Sequence, residues 1–283
     1  MTPVLALAIG LAIGAVTARA AALVGVRLGL LDHPSAIKPH GRPIPFTGGS
    51  AILVTVLAIA PFAALNGLVL AGAALAWLVG LIDDIRGLDP WTKLVSPIPA
   101  LVLSVMSIEL GLIERVLAVA AGVVLLNVFN VIDGLDGLAG GTAALMLGVF
   151  AFGTDPFAGL AAATLGATLG FLLFNLPPAR IFLGDEGTLL LGYILWLLPL
   201  GWLAESGAQR VLPLWALVWL FPIVNSGYVL FARLRSRRPL LRGDRSHLYD
   251  DLNRRFGLRR TLAVCWGISV VGLICVLALA RAS

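Results

Sequence analysis

The sequence predicts an all-α, polytopic integral membrane protein of about ten transmembrane helices with its polar loops in the cytoplasm. Three observations carry this. Of 283 residues, 59% are hydrophobic and 12% charged, with a mean hydropathy of +1.00, whereas soluble domains run at roughly 45–50% apolar and 25% charged. The apolar residues fall in blocks of about 17–25, enough to cross a hydrocarbon core of roughly 30 Å, and most blocks lack the polar face of a soluble helix. Finally, the charges sort to one side.

The predicted spans, in order, are 3–26, 47–66, 68–83, 93–111, 115–132, 138–153, 157–175, 187–203, 211–232 and 261–280. The first opens without the basic segment of a cleavable signal peptide and reads as a retained span. Asn66-Gly67, Gly111 to Glu114 and Gly153 to Pro156 turn the chain between spans two and three, four and five, and six and seven; residues 204–210 join eight to nine. The other connections, 27–46, 84–92, 133–137, 176–186 and 233–260, share the opposite face. With short flanks they hold sixteen of the twenty Lys and Arg: Arg27, Lys38, Arg42, Arg86, Lys93, Arg180 and ten arginines between Arg233 and Arg260. The positive-inside rule puts these loops in the cytoplasm and both termini outside. No composition shift divides the chain, so residues 1–283 read as one domain.

A formal charge of +5 could suggest nucleic acid, but orientation and contact with anionic headgroups or a diphosphate account for loop arginines. Cys265 and Cys275, ten residues apart in the last span, cannot readily bridge each other and read as packing residues. There is no Cys/His spacing for structural zinc.

The basic loops also hold eleven of the fifteen acidic residues, which orientation alone does not explain. In GLIDDIRGLDPWTKL, Asp83 and Asp84 end the third span. Adjacent helical residues diverge by about 100°, so the two should serve different partners: one a proton or metal, the other Lys93 or a phosphate. Acidic groups at a helix C-terminus oppose the macrodipole, which favours a functional reason for the pair.

In NVFNVIDGLDGLAGG, Asn127, Asn130 and Asp133 recur every three residues and would share one helix face. Gly134 and Gly137 would let the chain unwind and swing Asp136 back toward Asp133. Intramembrane carboxylates usually line polar cavities; Asn127 alone is as well explained by a helix-to-helix hydrogen bond.

NLPPARIFLGDEGTLLLG places Asp185 before an apolar helix with Thr188 three residues on. This is an N-cap, or a carboxylate at a natural phosphate site that holds Mg²⁺ against a diphosphate. Gly184 and Gly187 let backbone approach a ligand closely. His33, Lys38 and His40 lie in the first loop; His247, with Asp244, Asp250 and Asp251, lies among arginines in the last. His247 suits a phosphate donor.

Taken in order, these loops resemble the polyprenyl-phosphate N-acetylhexosamine-1-phosphate transferase superfamily exemplified by MraY and WecA. The resemblance covers residues 32–252 and rests on GLIDD with its following Lys, NxxNxxDGLDGLA and PPAxxFxGDxG. It implies cytoplasmic active-site loops and transfer of a sugar-1-phosphate from a UDP-sugar to polyprenyl phosphate, with Mg²⁺ (or Mn²⁺ in its place) and release of UMP. It implies Asp83 and Asp84 at the lipid phosphate, one as base, and Asp185 on Mg²⁺. Asn130, Asp133, Asp136 and Asn175 fall at nucleotide-site positions, and His247 at the first His of the last-loop motif. Asp133 and His247 thus join Asp83 and Asp84 as candidate catalytic residues. Lys38, His40, Lys93, Gly184 and Thr188 join the candidate substrate contacts.

Three positions depart from the family pattern. Gly87 stands where Asp is frequent, Pro45-Phe46 replaces a Pro-Arg pair, and His247-Leu-Tyr249-Asp250 replaces HxHH. The last moves the chain toward WecA-like relatives of O-antigen initiation and questions any role needing two histidines. Membrane lipids and the two substrates are the expected partners; homodimerisation and the identity of the sugar stay open. Two rivals compete: a secondary transporter, which should carry its carboxylates near the midplane with repeat symmetry, and a CDP-alcohol phosphatidyltransferase, whose AR and GxxxDxxxD elements this chain lacks.

Overall fold

The computed structural model describes residues 1–34, 41–63, 65–152, 157–206, 208–237 and 246–282, with side chains for all of these except 204–206, 208–212 and 280–282. In chain order the elements are α1 (Pro3–Leu28), β1 (Leu31–Asp32), β2 (Ile44–Pro45), α2 (Gly48–Ile59), α3 (Gly67–Arg86), α4 (Pro90–Val95), α5 (Ile98–Val105), α6 (Leu112–Asn130) and α7 (Leu138–Ala151). Then come α8 (Ala158–Asn175), α9 (Gly184–Ser206), α10 (Ala208–Val218), α11 (Leu220–Arg235), α12 (Leu248–Phe256) and α13 (Leu258–Ala282). Among the described residues the one departure from an all-helical fold is the antiparallel pair β1–β2, with Leu31 opposite Pro45 and Asp32 opposite Ile44.

Helix α9 is the axis of the bundle. Every residue from Glu186 to Gly201 is buried, and α2, α3, α6, α7 and α10 pack around it. A helix apolar on all sides has to be enclosed on all sides. Helices α1 and α13 do the reverse, exposing Leu5, Val16, Leu23, Val271, Ile274 and Leu277 on the outside, a face for lipid. Cys265 is buried as a packing residue should be, whereas Cys275 is exposed.

Small residues let helices approach closely where the bilayer supplies no hydrophobic drive between them. Gly10 and Gly14 of α1 lie against the backbone of Ala163 and Ala167, while Gly166 and Gly170 of α8 lie against Leu7, Leu11 and Ala15. A methyl group at any of the four glycines would overlap the partner's main chain.

All ten predicted apolar segments contain helix, but among the described residues six helices are long and apolar enough to cross a membrane: α1, α3, α6, α8, α9 and α13. Helices α2 and α7 have 12 and 14 residues, roughly 18–21 Å at 1.5 Å per residue. The predicted span 93–111 is instead α4 and α5, broken where Pro97 and Pro99 lack the N–H a continuous helix needs. The span 211–232 divides at Trp219, three residues before Pro222. The molecule is a polytopic, mostly helical membrane protein, and hydropathy alone overstated the continuity of its segments.

Candidate active site

At one end of the bundle the last turn of α3 meets the first turn of α9. The Asp84 carboxylate accepts the N–H groups of Asp185 and Glu186, both at 3.0 Å. These amides have no partner within their own helix. An acid at the C-terminus of α3 is opposed by that helix's dipole, but the N-terminus of α9 compensates it. Gly184 makes the approach tight: its φ is +73°, and a Cβ there would lie 2.8 Å from Asp84 Oδ2. Asp185 is therefore inside the helix rather than its N-cap, and its side chain is released for other partners.

Those partners come from two further helices. Asp89 caps α4 by accepting the N–H groups of Trp91 and Thr92, each at 3.1 Å, and the Thr92 hydroxyl. These bonds hold its carboxyl below the usual range, the Thr92 hydroxyl foremost. The cap sets Lys93 one turn on, with its ammonium 2.7 Å from Asp83 Oδ2 and 2.6 Å from Asp185 Oδ2. From α6, Asn130 Nδ2 donates to Asp185 Oδ1 at 2.7 Å and to Thr188 Oγ1 at 3.0 Å. The other Asp83 oxygen accepts the Leu88 N–H at 2.8 Å. Asp83 and Asp84 thus serve different partners, as their helical divergence predicted.

Burial pulls the Lys93 pKa down, but Asp185 and Asp83 outweigh it, leaving it above the ordinary lysine value. The Asp83 side chain is 4% exposed, whereas those of Lys93 and Asp185 are 27% and 26% exposed. A ligand can therefore reach the outer pair, with Asp83 behind it. The donor set suits a hard cation: oxygens of Asp83 and Asp185 already converge on one positive centre, the Lys93 ammonium. Among the described residues no group of three or more His, Cys, Asp or Glu forms a ready metal cage. A divalent ion held by Asp185 and Asp83 would thus complete its shell with water or phosphate oxygens, as Mg²⁺ commonly does.

The second sequence cluster divides. Helix α6 ends at Asn130, so Asp133 does not continue its face; it is exposed in the following turn. Asn127 Nδ2 donates to Val123 O at 2.8 Å and to Leu94 O at 3.3 Å, the helix-to-helix hydrogen bond expected of an intramembrane amide. Gly137 takes φ +78°, but Asp136 does not bond toward Asp133 in that unwound turn. It accepts the Ala179 N–H at 2.9 Å, while Asn175 accepts from Gly137 N at 3.0 Å and donates to Ile181 O at 2.9 Å. Asp136 and Asn175 therefore stitch the loop after α6 to the loop before α9.

His247 starts α12, buried and stacked on Tyr249 at 4.9 Å between ring centroids. The Tyr249 hydroxyl donates to Val131 O at 3.2 Å, and its ring fills the place a side chain at Gly134 would take. Asn225 of α11 accepts the Leu248 N–H at 3.2 Å. The last loop is thereby docked on the turn that carries Asp133. Lys38 and His40 lie outside the described residues. Glu186, Ser50 and Asn225 also belong to this end of the bundle and are not evident from the loop motifs. Glu186 carries a signal, an acid inside an apolar helix run, that the adjacent Asp185 motif masks.

Residues 65–202 match the family model described as glycosyl transferase family 4. A probable undecaprenyl-phosphate N-acetylglucosaminyl 1-phosphate transferase of Bacillus subtilis is 27% identical over 85% of this chain and 74% of its own length. An undecaprenyl-phosphate alpha-N-acetylglucosaminyl 1-phosphate transferase of Thermotoga maritima is 31% identical over 85% of this chain and 79% of its own. A decaprenyl-phosphate N-acetylglucosaminephosphotransferase of Mycolicibacterium smegmatis is 30% identical over 81% and 70%. The chain belongs to glycosyl transferase family 4.

Proposed function

We propose that this protein transfers a sugar-1-phosphate, an N-acetylhexosamine or a 6-deoxy derivative, from a UDP-sugar to polyprenyl phosphate, releasing UMP at the cytoplasmic face of a bacterial inner membrane. The observation that carries this is the convergence of Asp83, Lys93, Asn130 and Asp185 from four helices at one end of the bundle. The relatives' names give N-acetylglucosaminyl 1-phosphate transfer with undecaprenyl phosphate for those proteins, which supports the acceptor and the transferred group. Ten crossings with both termini outside would put every loop of the site on the nucleotide side, in keeping with the charge sorting.

In this reading an oxygen of the lipid phosphate attacks the sugar-bearing phosphorus of the UDP-sugar. A new P–O bond forms, the P–O bond to UMP breaks, and UMP leaves with the electron pair. Asp185, with Asp83 behind it, would hold Mg²⁺, whose charge, when bound, offsets that of the diphosphate and of the leaving UMP. Lys93 supplies a second positive charge on a short tether. Asn130 orients the Asp185 carboxylate. A phosphate with a second pKa near 6 is already mostly ionised at pH 7, so positioning outweighs base catalysis. A single displacement is preferred over a phospho-aspartyl intermediate.

The phosphate-proximal isoprene units of the acceptor would have a candidate location. A groove between α6 and α11, about 230 Å³, is lined by Val124, Val128, Val131, Val229 and Leu230 with Asn127 and Arg233 alongside. It lies one helical turn from Asn130.

Membranes containing the protein should convert polyprenyl phosphate and one member of a radiolabelled UDP-sugar panel into lipid-linked label with stoichiometric UMP. Failure across the whole panel would reject the reading, and a phospho-enzyme trapped with UDP-sugar alone would reject the single displacement.

A further inference from the structure

Glu186 is a wholly buried acid in the central helix to which the proposed reaction gives no task. Its surroundings give it one. The first turn of α2 lacks a cap of its own: Thr47 makes no side-chain bond to it and donates its hydroxyl to Ala21 O at 2.8 Å. Instead, the three leading amides of α2 are taken up by the segment that enters α9. Gly48 N donates to Phe182 O and Gly49 N to Leu183 O, both at 3.0 Å. Ser50 N donates to Glu186 Oε1 at 2.7 Å, and the Ser50 hydroxyl bridges both Glu186 oxygens at 3.0 and 3.1 Å. Trp77 of α3 closes the set, donating to Ser50 Oγ at 3.3 Å.

The first turn of α9 is thus held from two sides. Asp84 accepts its amides from α3, and Glu186 returns a carboxylate to the Ser50 amide and hydroxyl of α2. Gly49 and Gly80 let both helices approach so closely that a methyl at either would overlap the main chain at 185–187. Asp185 is the next residue along the backbone. We propose that Glu186 is a positioning residue: by seating the first turn of α9 on α2, it keeps the Asp185 carboxylate directed at Lys93 and Asn130. Without Glu186 the α2 side keeps the Gly48–Phe182 and Gly49–Leu183 main-chain bonds, but the first turn of α9 gains room to shift and draw Asp185 away from its partners.

The inference rests on Asp185 holding a divalent ion, so the test reads the ion directly. Mn²⁺ binding to purified, substrate-free protein is followed by electron paramagnetic resonance in wild type, E186A, E186Q, S50A and, as the reference for a lost site, D185N. Supporting groups behind metal ligands typically carry about 10–100-fold in affinity or turnover. E186A should weaken Mn²⁺ binding about ten-fold or more and lower kcat comparably, with KM for polyprenyl phosphate unchanged. E186Q should stay within about three-fold of wild type, because its amide can still accept from Ser50 N–H and donate to the Ser50 hydroxyl. S50A, which keeps the backbone N–H, should fall between them and serves if E186A does not fold. Wild-type Mn²⁺ affinity and kcat in E186A, or in S50A where E186A is unfolded, would overturn the proposal whatever happens to Tm. If wild type binds no more Mn²⁺ than D185N, the metal reading has failed, and the kcat and KM of the same variants decide on Glu186.

Discussion

Helices α3 and α9 are joined at both ends of α3, and the two junctions are built differently. At the loop end the bond is charged: Asp84 on the amides of α9, with Lys93 and Asp185 partly open to the outside. At the other end it is neutral. The Tyr193 hydroxyl donates to Val69 O at 2.8 Å and shares a 2.5 Å hydrogen bond with Ser104 Oγ of α5, all of it buried. Removing water from an ion costs several kcal/mol, whereas a paired hydroxyl costs little. The charged junction therefore sits where helix termini and a ligand can compensate it, and the neutral one holds the bundle. One end of a helix pair can be specialised for reaction while the other is left to stability.

That division can be broken by experiment. D185N should carry the largest effect, a loss of transfer of about a thousand-fold with thermal unfolding in detergent little changed; substantial residual turnover would sink the metal assignment. K93M comes next, with kcat down about a hundred-fold and some loss of stability, since Asp83 and Asp185 then face each other without a cation. A K93M enzyme as active as wild type would mean the Lys93 pairs are only structural. D84N keeps one acceptor for two amides but loses the charge at the α9 N-terminus, so about 1–2 kcal/mol of stability should go, with a smaller fall in turnover read in the same preparations. Y193F should be the mildest, about 1 kcal/mol with transfer unaffected. If Y193F lowers kcat as D84N does, the two junctions are not separate in function.

Most of the charged junction was visible in the sequence as residue types: Asp83, Asp84, Lys93, Asn130 and Asp185 were all singled out from their loops. Their pairings were not, because Lys93 and Asp185 stand 92 residues apart and helical spacing informs only on neighbours. Asp133 was placed on the face of α6 because the three-residue rhythm runs through it, although the helix stops at Asn130. The neutral junction was invisible, as Tyr193 and Ser104 read as ordinary members of apolar spans. Hydropathy located ten apolar segments, yet it averages over prolines and so missed the breaks at Pro97 and before Pro222.

The glycine seam between α1 and α8 sets a condition on how the chain is made. Gly10 and its partner Ala163 are separated by about 150 residues of chain. At a synthesis rate of roughly 5–20 residues per second, α1 precedes α8 by about 8–30 seconds. Throughout that interval the first helix resides in the bilayer with its small-residue face against lipid or transient neighbours. Helix α1 can pair with α2 early but waits for α8, so a bulkier residue at Gly10 or Gly14 would act at that later docking step, long after insertion has succeeded.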